Sequence, residues 1–164
     1  MARQSKKEQE SEDLKLLKKY MGQYYRSRLR KKQLETRLRE ICAEMTTPAD
    51  REPDKPANQT GSETASLAYR KSEYETRIQG QKEAAEKALL KVMDILDFLE
   101  PNSDERMVLE LRYIDNKSWE GVARAACMSR SVCFEKHKAG LEKLLTYKRV
   151  KAVLKKYKEE SRAY

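Results

Sequence analysis

The chain has 164 residues, 38% of them charged and 38% hydrophobic, with a formal net charge of +9. Its 5 glycines, 4 prolines and 2 phenylalanines exclude a large parallel α/β core with its many glycine turns, and leave one modest helical domain with extensions. Residues 1–40 hold 13 Lys/Arg against 6 Asp/Glu, residues 136–164 hold 10 against 3, and residues 41–135 hold 13 against 18; two basic ends flanking an acidic middle fit either an anionic partner, nucleic acid first, or a charge that serves solubility alone.

Residues 1–12 are polar and read as a flexible N-terminus. The basic start is followed by no apolar stretch, so it is not a secretory signal, and no run reaches the length of a membrane helix. Cys42, Cys127 and Cys133 are an odd set without a signal peptide, which predicts reduced thiols and a cytoplasmic protein. From Asp13, Leu14, Leu17, Met21 and Tyr24, then Leu34, Leu38, Ile41 and Met45, step by three and four along one stripe. The stripe weakens where Arg26, Arg28, Arg30, Lys31 and Lys32 crowd together, but no residue there breaks a helix. Residues 46–64 hold three prolines and no large apolar side chain, so they read as a loop. Leu67, Tyr74, Ile78, Ala85, Leu89, Val92, Leu96 and Leu99 form a second stripe. The span 13–99 is thus expected to be a coiled-coil-like helical hairpin. Its stripes are narrow, so they pair with each other or, in a homodimer, with a second copy.

Pro101-Asn102-Ser103 stops the second helix. Ser103 or Asp104 then caps a short helix over 105–114, Asp115-Asn116-Lys117 makes a turn, Ser118 caps WEGVARAA, and Ser129 caps a further helix running through Leu145. Two capped helices joined through Cys127-Met128 have the layout of a helix-turn-helix over 103–145, followed by a basic C-terminal extension over 146–164. The motif core is expected from Leu111, Trp119, Val122, Cys133, His137, Leu141 and Leu144. Arg130, Ser131, Phe134, Glu135 and Lys138 fall on other faces near the start of the last motif helix. They are the candidates for reading DNA bases: Arg pairs with guanine, Glu accepts from cytosine N4, and Phe meets a thymine methyl. Ser118, Ser129, Lys136, Lys143, Lys148, Arg149 and Lys151 are the candidates for the DNA backbone.

The stretch from Glu105 to Leu144, ERMVLELRYIDNKSWEGVARAACMSRSVCFEKHKAGLEKL, resembles the promoter-reading C-terminal domain of sigma-70-family factors, and more closely the phage-encoded regulators of the ArpU/RinA type. The resemblance lies in Leu111-Arg112-Tyr113-Ile114-Asp115, Ser118-Trp119-Glu120, Ser129-Arg130-Ser131, His137, and Gly140-Leu141 with Leu144. The family usually carries alanine where Gly140 stands and often a basic residue where Glu135 stands. The resemblance implies a sequence-specific transcriptional regulator of phage or prophage type, acting at promoters with RNA polymerase in a bacterial host cell. The alternative is the DNA-recognition (small) subunit of a phage packaging terminase or another DNA-binding assembly protein. Cys127, Cys133 and His137 have no fourth ligand at standard spacing and no CxxC, so no metal and no cofactor are expected. The sequence has no glycine-rich phosphate loop and no nucleophile motif, so no enzyme is expected either.

Overall fold

The computed structural model describes residues 2–46 and 57–164. The described residues are all-α, as expected, with no strand among them: α1 (Ala2–Met21), α2 (Gln23–Thr46), α3 (Ala57–Leu96), α4 (Asp104–Tyr113), α5 (Trp119–Ala126), α6 (Arg130–Leu145) and α7 (Lys148–Arg162). No helix is long and apolar enough to cross a membrane among the described residues.

Three boundaries differ from the sequence expectation. Residues 2–12 are helical instead of a loose N-terminus; Lys, Glu, Gln and Arg are good helix formers, and neither proline nor glycine interrupts them. The first long helix is broken at Gly22, although its N–H still donates to the Lys18 carbonyl at 3.0 Å. Of the loop expected at 46–64, residues 47–56 lie outside the described residues and 57–64 belong to α3. The last proline of that stretch is Pro56, and Gly61 costs a helix only about 1 kcal/mol relative to alanine.

The chain divides into two compact units, one of residues 1–25 with 86–164 and one of residues 26–85. This replaces the expected division into a hairpin over 13–99 and a separate domain over 103–145. Both ends of the expected hairpin belong with the C-terminal helices, because their apolar stripes are buried there. Leu17, Tyr20 and Met21 of α1 and Val92, Ile95 and Leu96 of α3 share one core with Leu99, Leu109, Leu141, Leu144, Val150 and Leu154. Each large aliphatic side chain so buried stabilises the fold by about 1.5–3 kcal/mol. The unit 26–85 has a thin core by comparison: Ile41 and Ala85 are its buried side chains among the described residues. Glu44 and Arg70 pair there at 3.9 Å, and Lys31 pairs with Glu35 at 3.4 Å. Exposed pairs of this kind add only a few tenths of a kcal/mol each.

Within the first unit, the elements that follow α3 are locally determined. Arg106 ties the end of α3 to α4: its guanidinium reaches Glu110 at 2.7 Å, Asp97 at 3.0 Å and the Leu99 carbonyl at 3.3 Å. Adjacent residues of α4 face two cores. Leu109 enters the large one, while Val108 packs with Val122 and Cys133 in a smaller one flanked by Leu111, Trp119, Ala123 and Met128. The helix α6 approaches α4 closely at Gly140, where an added Cβ would lie 2.9 Å from Leu109 Cδ1 and 3.2 Å from Glu105 Cβ. Glycine at this position is therefore a packing residue.

The basic C-terminal segment is not a continuation of α6. Cys133, His137, Leu141 and Leu144 line the buried face of α6, and extending that stripe by helical steps would bring Lys148, Lys151 and Lys155 onto it. The chain instead turns at Thr146 and Tyr147. Thr146 Oγ1 donates to the Lys143 carbonyl at 2.6 Å, and the Tyr147 N–H donates to the Leu144 carbonyl at 3.2 Å. The turn resets the register, so that Val150 and Leu154 are buried and the lysines are exposed. Ring contacts flank this core: Tyr147 against Phe98 and Tyr157 against Tyr20, both with centroids 5.2 Å apart. α7 is thus part of the core and not the accessory extension expected at 146–164.

Candidate nucleic-acid interface

Three serines open three consecutive helices. Ser103, Ser118 and Ser129 are extended N-cap residues whose side-chain oxygens accept from the N–H groups of Arg106, Gly121 and Val132 at 3.3, 3.2 and 3.3 Å. Each cap satisfies one of the N–H groups that a helix start leaves without a partner. The turn between α4 and α5 uses Asn116 at φ 53°, and the connector between α5 and α6 uses Cys127 at φ 53°. Asparagine enters this left-handed region more readily than most residues, whereas cysteine has no such advantage. Around Cys127 the Met128 N–H donates back to the Ala123 carbonyl at 3.0 Å, which closes α5 in the manner of a Schellman end. Three residues, 127–129, join α5 to α6.

The surface of α6 is divided. Cys133, His137, Gly140, Leu141 and Leu144 are buried on one side. Arg130, Ser131, Phe134, Glu135 and Lys138, the five base-reading candidates, are all exposed. Ser131, Phe134, Glu135 and Lys138 follow helical steps of three and four, so they share a stripe. That stripe is close to neutral, because Lys138 lies 4.0 Å from Glu142 and Glu135 adds a further negative charge.

The backbone candidates separate into two groups. Lys136 turns away from the stripe and toward α4, where its Nζ lies 3.8 Å from Asp104 and 3.6 Å from Glu105. A phosphate contact by Lys136 would therefore compete with these two carboxylates. Lys143, Lys148, Arg149 and Lys151 are exposed and have no ion-pair partner among the described residues. Ser118 and Ser129 are exposed, with their oxygens engaged as cap acceptors. Cys127 is exposed while Cys133 is buried, and among the described residues no three His, Cys, Asp or Glu side chains cluster as metal ligands.

Aromatic side chains connect the core to the exposed stripe. The Tyr113 hydroxyl and His137 Nε2 share a hydrogen bond at 2.8 Å. Trp119 stands edge-on to His137 with centroids 5.0 Å apart, and Phe134 lies 4.6 Å from Trp119. Burial, then the nearby Lys18 and Arg112 charges, push the His137 pKa down to about 4, so the ring is neutral at pH 7. Burial pushes the Tyr113 hydroxyl up to about 12. Arg112, not among the candidate site residues, positions this group: its guanidinium sits 4.9 Å over the Trp119 ring and donates to the Lys117 carbonyl at 2.8 Å. The seven-residue spacing from Arg112 to Trp119 crosses a turn, so no helical periodicity announces the contact.

No protein-family model, no curated protein and no solved structure matches the chain.

Proposed function

We propose that the chain is a sequence-specific binder of double-stranded DNA, in which α5 and α6 form a helix-turn-helix and α6 is the reading helix. The observation that carries this reading is the division of α6. One face is buried, and the other presents Arg130, Ser131, Phe134, Glu135 and Lys138 to solvent from its first nine residues. These side chains supply a guanine fork, a cytosine N4 acceptor and an apolar contact, which is the chemistry of major-groove readout. Because the stripe itself is nearly neutral, affinity comes from elsewhere: Lys148, Arg149 and Lys151 of α7 supply the phosphate contacts, which position the protein without specifying sequence. The role is transcription regulation at promoters in concert with RNA polymerase, as the resemblance over Glu105 to Leu144 implies. The chain binds and does not catalyse.

Selection of duplexes from a random library by the full chain tests this, with and without RNA polymerase. One enriched sequence is expected, and Arg130→Ala should weaken binding to it by about 10- to 100-fold while relaxing preference at a single position. A wild-type chain that enriches no duplex overturns the proposal. The double substitution of Lys148 and Lys151 by alanine should behave differently. It should weaken binding evenly across sequences and make the slope of log affinity against log salt shallower by about 2. An unchanged slope, measured by titration at several salt concentrations, would remove α7 from the backbone interface.

A further inference from the structure

We propose that Phe134 and Arg130 together read a thymine adjacent to a guanine, with Phe134 packed on the thymine C5 methyl. This builds on the DNA-binding reading above and assigns the base step at the centre of that site. Phe134 is 43% exposed on a face otherwise made of polar and charged groups. Its ring is held from beneath by Trp119 at 4.6 Å, and Trp119 in turn stands edge-on to the buried His137. An exposed phenyl fixed in this way loses little further rotamer freedom on contact. One helical turn earlier, the Arg130 guanidinium carbon lies 6.0 Å from the Phe134 ring centroid, at the outer reach of a cation–π contact. No carboxylate pairs with Arg130 among the described residues.

The chemistry of the groove selects the base step. Thymine alone of the four unmodified bases presents a C5 methyl in the major groove, and guanine presents the two acceptors that suit an arginine fork. A phenyl ring has no donor or acceptor with which to read any other base edge. Side chains one turn apart are separated by about 5.4 Å along a helix, and neighbouring bases on one strand by about 3.4 Å. A long arginine and a short phenylalanine one turn apart on the same helix therefore suit consecutive bases. If Phe134 only covered Trp119, binding would be indifferent to the methyl group.

The experiment uses the full chain and the duplex it enriches from a random library. Each thymine is replaced singly by deoxyuridine, which removes the methyl and leaves the pairing intact. One replacement, at a thymine beside a guanine, is expected to lower affinity about four-fold, the value of one buried methyl group. Phe134→Ala should bind thymine and deoxyuridine duplexes equally, and Phe134→Leu, which keeps an apolar contact, should restore the difference. Equal affinity at every position for the wild-type chain overturns the inference, as does discrimination that survives in Phe134→Ala. Either result, obtained on an enriched duplex, leaves DNA binding standing; a chain that enriches no duplex removes both.

Discussion

Leu154→Ala is expected to lower the unfolding free energy by about 3 kcal/mol, within the range for truncating a fully buried leucine. Leu154 is 3% exposed and shares its core with Leu17 and Tyr20 of α1 and Leu141 and Leu144 of α6. The cavity left by truncation would lie in the core shared by α1 and α7, against which the edge-on pair of Tyr20 and Tyr157 also packs. Val153, next in sequence and 37% exposed, is the control: Val153→Ala should change stability by no more than about 0.5 kcal/mol. Denaturant unfolding of the two variants measures the difference. Equal midpoints for Leu154→Ala and wild type would mean that α7 is an appended tail, as its lysine-rich composition suggests, and not a structural element.

Acidification from pH 7 to pH 4 is expected to remove about 3 kcal/mol of stability through His137 alone. The His137 side chain is 8% exposed, and burial together with the Lys18 and Arg112 charges holds its pKa at about 4 in the folded protein. In the unfolded chain the value returns to about 6.5. The folded pKa is the lower one, so the unfolded state takes up the proton first as the pH falls. The contribution is complete above about pH 6.5 and is lost progressively down to about pH 4. Tyr113, raised to about 12, stays neutral throughout this window, so it does not contribute to the change. His137→Gln cannot titrate there. It should be less stable than wild type at pH 7, where the ring packing against Trp119 and Tyr113 is gone. Its stability should also fall less steeply between pH 6.5 and pH 4, as read from urea midpoints across that range. Parallel slopes for the two proteins would show that the imidazole is already protonated, or already exposed, in the folded state.

These two residues mark different distances between sequence and fold. His137 was legible as a core residue, because Cys133, His137, Leu141 and Leu144 repeat at helical steps and the serine caps bracket the helices around them. Caps and short-range periodicity are local physics, and they located α4, α5 and α6 to within a residue or two. Lys136 shows the limit of that method. On a helical projection it sits between the exposed and buried faces, and only the position of α4 decides that Asp104 and Glu105 take its charge. The same holds for Gly140, whose lack of a side chain is explained by Leu109 and Glu105 on a different helix.

The basic C-terminal segment is the sharpest case. A signal was present in the sequence: the stripe of α6 would continue onto Lys148, Lys151 and Lys155, whereas Tyr147, Val150, Leu154 and Tyr157 repeat in a register of their own. The reset predicts a break, but without proline or glycine it does not say where the new face packs. What the sequence alone determined is the all-helical class, the caps and short helices of 103–145, and the exposed stripe from Arg130 to Lys138, because each follows from interactions within one or two turns of chain. What only the tertiary structure decided is that 13–25 and 86–99 belong to the core of the C-terminal unit, that α7 closes it, and that Lys136 is occupied. Each of these depends on contacts between segments far apart in sequence, whose partners a periodic stripe calls for but does not name.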